Sequence, residues 1–86
     1  MRFLHYQVQA GPHAQIEVNL EGNAANVLLL DNMNFENYRR GIRYNYYGGH
    51  ARHSVAILNP PYAGSWHVVV DLGGAPGTVK ASVRVM

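Results

Sequence analysis

The chain has 86 residues, enough for one domain spanning 1–86 whose core buries roughly 60 to 65% of the surface of the unfolded chain. With 48% hydrophobic and 14% charged residues and a net charge of +2, it is too apolar for a disordered tail and too weakly basic for a broad duplex-binding face. The absence of cysteine excludes disulfides and thiolate metal sites, and the start "MRFLHYQVQAGP" lacks the apolar stretch of a secretory signal, so a cytoplasmic protein without a membrane segment is expected.

Strand signals dominate. Leu4, Tyr6 and Val8 alternate before "AGPH" interrupts them, and Ile16, Val18 and Leu20 alternate before "EGN", which predicts a first hairpin. "NVLLLD" is a continuous apolar run, as expected of a central strand covered on both faces. "NMNFENYRRG" predicts one or two helical turns, with Asn34 as N-cap, Glu36 in the first turn, Arg39 and Arg40 in the last and Gly41 just beyond. Further strands are predicted at "IRYNYY", "HSVAIL", "SWHVVVDL" and "TVKASVRVM". The fold class expected is all-β: a small antiparallel β-sandwich, jelly-roll-like, with one short helical turn, and a barrel as the alternative.

The last two strands can be read in register. Opposing Leu72 with Val79 puts Trp66, Val68, Val70, Val83 and Val85 on one apolar face, with His67, Lys80, Ser82 and Arg84 on the other. That register sets Asp71 opposite Lys80 as a favourable pair and His67 opposite Arg84.

Three segments, "NVLLLDNMNFENYRRG", "YYGGHARHS" and "GSWHVVVDLGGAPGTVKASVRV", together resemble a bacterial family known as domain of unknown function 1883. It is found as a short free-standing protein and at the N-terminus of chains carrying a TIR domain. The resemblance spans nearly the whole chain and rests most on "YYGGHA" and "WHVVVDLGG". It implies a β-sandwich and coupling to TIR signalling; it implies no activity and assigns no role to Tyr47, Gly48, Gly49, His50 or Trp66.

Chemistry concentrates between Asn37 and His53, which hold Arg39, Arg40, Arg43, Arg52 and no acid, a local charge of +4. Tyrosine faces beside arginines suit an anionic or nucleotide ligand, and Gly48 and Gly49 would let it approach the backbone. The candidate ligand-binding residues are therefore Arg43, Tyr46, Tyr47, Gly48, Gly49, His50, Arg52 and His53. The plainer alternative is that the tyrosines pack along a strand and the Gly-Gly pair only makes a turn with positive φ.

His50 and His53 form HxxH, but on an extended chain residues three apart point to opposite faces, so no metal is called for. No nucleophile elbow, phosphate loop or acid/base pair is present, the five acids read as solvated surface or turn residues, and Trp66 reads as core. The expectation is a non-enzymatic binding or interaction module without cofactor, recognising a small anionic ligand or a protein partner. A homo-oligomer joined through sheet edges is the competing reading, and nucleic-acid binding ranks third because the charge is modest.

Overall fold

The computed structural model describes residues 3–52 and 54–86. Within them the alternating segments form β1 (Leu4–Ala10), β2 (Ile16–Gly22), β3 (Ala25–Leu30), β4 (Tyr47–Ala51), β5 (Val55–Leu58), β6 (Gly64–Asp71) and β7 (Val79–Val85), with α1 (Asn32–Arg39) between β3 and β4. A four-stranded sheet has the order β1-β6-β3-β4 and a three-stranded sheet the order β5-β2-β7, and every pairing is antiparallel. This is the small all-β sandwich expected from the alternation. None of the described helices is long and apolar enough to cross a membrane.

The core lies between the sheets. Ile16 and Val18 of β2, Val27 and Leu29 of β3, and Trp66, Val68 and Val70 of β6 point inward and are almost wholly buried. Each such aliphatic side chain contributes about 1.5 to 3 kcal/mol by leaving water. Because β3 and β6 are the inner strands of their sheet, their other face also needs cover. Phe35 and Tyr38 of α1 supply it, packing over Leu28, Leu30 and Val69. The continuous run "NVLLL" is thus buried on both sides.

Neither predicted hairpin forms. β1 and β2 lie in different sheets, as do β6 and β7, so the Leu72–Val79 register does not exist. Asp71 stands opposite Asn26, Lys80 opposite Glu21, and Arg84 opposite Glu17, with which it forms an ion pair at 3.1 Å. The facing directions survive the correction only in part. Trp66, Val68 and Val70 are buried, Val83 is half-buried and Val85 is exposed at the end of β7. His67 and Asp71 do point away from the core, but α1 covers them and both are buried.

The helix N-cap lies three residues before the predicted one. Asp31, with extended backbone, is the N-cap and its Oδ1 accepts from the Asn34 N–H at 2.8 Å; Glu36 accordingly falls beyond the first turn. The C-terminal end is as predicted. Gly41 has φ +72°, and the Ile42 N–H donates to the Asn37 carbonyl while the Gly41 N–H donates to Tyr38, the two bonds of a Schellman motif. Residues 42–46, predicted as strand, are loop.

Candidate binding site

The "YGGHA" stretch, Tyr47–Ala51, is strand, not turn. β4 pairs with β3, placing Tyr47 opposite Leu29, Gly48 opposite Leu28, Gly49 opposite Val27 and His50 opposite Asn26. Both glycines have positive φ, +101° at Gly48 and +152° at Gly49, which other residues rarely adopt. At Gly48 there is also no room: a Cβ would stand 2.3 Å from the Val27 carbonyl oxygen and 3.2 Å from Leu58 Cδ2. Gly48 therefore brings β4 close to β3, and the two glycines leave its backbone bare of side chains.

β4 is an edge strand of the four-stranded sheet and β5 an edge strand of the three-stranded sheet. The short connection between them carries the chain from one sheet to the other, so both edges bound the same open side of the sandwich. An open groove of about 420 Å³ lies there. Gly48, Gly49 and His50 of β4 and Arg52 just after it line one side, and Val55, Ala56, Ile57 and Leu58 of β5 the other. No lining residue is acidic, and none carries a hydroxyl or thiol. The groove offers positive charge, bare backbone and apolar surface, but no acid/base pair or nucleophile.

The ion pairs among the described residues are Arg39 with Glu36 and Arg84 with Glu17, so Arg52 has no carboxylate partner there. Among the described residues His50 makes only a long contact, Nδ1 to Asn26 Oδ1 at 3.4 Å.

The structure does not gather all the predicted residues. Arg43 is exposed in the loop after α1 and does not line the groove. Tyr46 and Tyr47 diverge: the Tyr46 ring lies 5.8 Å from Tyr44 on the helix side, whereas Tyr47 turns toward Trp66, edge-on at 6.1 Å. His53 lies outside the described residues. Four of the predicted residues, Gly48, Gly49, His50 and Arg52, thus share one concavity.

A second constellation, not singled out from sequence, lies beneath α1. His5 of β1 and His67 of β6 are joined by a hydrogen bond, Nε2 to Nδ1 at 2.8 Å, and His67 Nε2 stands 2.6 Å from Asn32 Oδ1 at the start of the helix. With the Asn32 oxygen accepting, His67 carries its hydrogen on Nε2 and accepts from His5 on Nδ1. Phe35 lies flat over the pair, its ring 4.1 Å from His5 and 4.4 Å from His67, with interplanar angles of 15° and 4°. Burial, with the Arg39 charge beside it, holds His5 below the ordinary imidazole value. Burial and the neighbouring His5 do the same for His67, while Glu36 and Asp31 oppose the shift.

At the other end of the helix Tyr38 donates its hydroxyl hydrogen to Asp71 Oδ2. Asp71 Oδ1 accepts from Asn26 Nδ2 and from the Gly73 N–H, each at 2.9 Å. Burial first, then the Asp71 carboxylate, pushes the Tyr38 phenol well above its ordinary range. These polar groups clamp the helix to the sheet, and among the described residues no buried side-chain nitrogen or oxygen lacks a partner.

No curated protein and no solved structure is similar enough to this chain to match it. The family model described as "Domain of unknown function (DUF1883)" matches residues 1–86. Because that match covers the whole chain, the protein belongs to the DUF1883 family.

Proposed function

We propose that this protein is a non-catalytic binding module that receives an anionic group of its partner in the groove between β4 and β5. The observation that carries this reading is the lining itself: His50 and Arg52 border the groove, with no acid in it and no carboxylate on Arg52 among the described residues. A guanidinium without an internal partner is available for charge-assisted, bidentate contact with a carboxylate or phosphate. The bare Gly48–Gly49 backbone lets such a group come close. A module of this kind suits coupling to TIR signalling, the context the family resemblance suggests, and the cytoplasmic setting expected from the absence of cysteine.

The test is anion binding at low ionic strength, using a polyphosphate or polyglutamate probe. Arg52→Ala should weaken it about tenfold, the loss of one charge-assisted contact, while Arg43→Ala leaves it nearly unchanged. Affinity should fall with added salt. Binding that ignores both Arg52→Ala and salt would refute the reading.

A further inference from the structure

We propose that the anionic group arrives on an extended segment of alternating apolar and acidic residues, which adds as a further strand to the free edge of β5. This deepens the proposed groove and rests on it. Among the described residues β5 pairs with β2 alone, through Val55–Leu58 against Ile16–Asn19, so its other edge presents backbone N–H and C=O groups without a strand partner there.

Two of the other sheet edges are guarded: β7 bears Lys80 and Arg84, and β4 departs from a regular ladder at its two positive-φ glycines, while β1 carries the polar Gln7 and Gln9. β5 has neither charge nor proline, and its Val55 and Ile57 are 46% and 45% exposed. Such an edge is a template for strand addition.

The register of side chains dictates the partner's pattern. Val55 and Ile57 point outward, while Ala56 and Leu58 point inward. On an added strand, residues beside Val55 and Ile57 lie on the outer face and cover apolar surface. Those between them point inward toward the groove, which Arg52 borders and which no acidic residue lines. Apolar residues at every second position with Asp or Glu between them satisfy both faces. This chain's own "IEVNLEG" has that alternation, but it is β2, the middle strand of its sheet and paired on both edges. The occupant is therefore a segment from outside residues 1–86.

The experiment uses the full chain and capped peptides about eight residues long alternating valine with glutamate. A twin of equal charge is N-methylated at alternate residues, which removes the N–H groups that would face β5. The unmodified peptide should bind, and the twin should bind about tenfold more weakly or worse, the loss of one or two hydrogen bonds. Ile57→Ser, which removes apolar surface from the exposed face of β5 without adding charge, should weaken the unmodified peptide, with folding checked by its melt. If both peptides bind equally, and Arg52→Ala and salt still weaken them, strand addition is overturned while the anion groove stands. If Arg52→Ala and salt have no effect, the groove reading itself falls. Failure of the valine and glutamate peptide to bind when polyphosphate does would overturn the strand proposal alone.

Discussion

Gly48 passes so close to Val27 that a methyl group on its α-carbon would stand 2.3 Å from the Val27 carbonyl oxygen. The obstacle is backbone in the middle of the four-stranded sheet, which cannot swing aside, and φ at Gly48 is +101°. Gly48→Ala should therefore destabilise the fold by about 2 kcal/mol or more. Gly49→Ala meets nothing within 4 Å and should cost less, on the order of 1 kcal/mol. Denaturant melts of the two variants check the order; equal costs would contradict the close approach of β4 to β3.

The histidine pair predicts a stability that falls in mild acid. Both imidazoles have folded-state values below 6.5, so the folded protein binds fewer protons than the unfolded chain once the pH drops below 6.5. Their contribution is fully present above that value and is lost progressively as the pH falls toward their folded values. His67, which is buried, sets a slope of at most about 1.4 kcal/mol per pH unit, and the more exposed His5 adds less. His5→Gln should reduce the slope. Stability that is flat between neutral pH and about pH 5.5 would contradict the arrangement.

Tyr38→Phe removes the hydroxyl that satisfies one oxygen of buried Asp71 and should cost about 1 to 3 kcal/mol. In the wild type the raised Tyr38 value means that its contribution is complete below pH 10 and is lost as the pH rises through the folded value. An ultraviolet titration should show one tyrosine ionising only together with unfolding, a step that Tyr38→Phe lacks.

Much of the fold was legible because alternation reports which face of a strand is apolar. Trp66, Val68 and Val70 were assigned correctly to the core for that reason. Alternation does not report which strand is the neighbour. Two strands that point apolar faces at one core satisfy the pattern equally side by side or facing each other across the sandwich, which is why β6 and β7 read as a hairpin.

The Gly-Gly pair misled for a related reason. Positive φ was expected and is present, but at Gly48 it serves close packing inside a strand rather than a chain reversal. His5 and His67 are separated by 62 positions and share no motif, so their hydrogen bond carried no local signal. His67 and Asp71, polar residues alternating through the apolar run of β6, were the available hint that a polar seam lies beneath the helix. In the candidate site, Arg52 is legible as charge without an acid and His50 as a polar neighbour; the contribution of β5 is not, because Val55 and Ile57 read as ordinary strand residues.

The central claim, an anion-accepting groove between β4 and β5, is tested most directly by mapping amide chemical shifts while the protein is titrated with a polyglutamate or polyphosphate probe at low salt. The perturbed amides should cluster at Gly48 to Arg52 and Val55 to Leu58, and the perturbations should collapse in Arg52→Ala. Perturbations centred instead on Arg39 to Arg43 at the end of α1, or on Lys80 and Arg84 of β7, would contradict it.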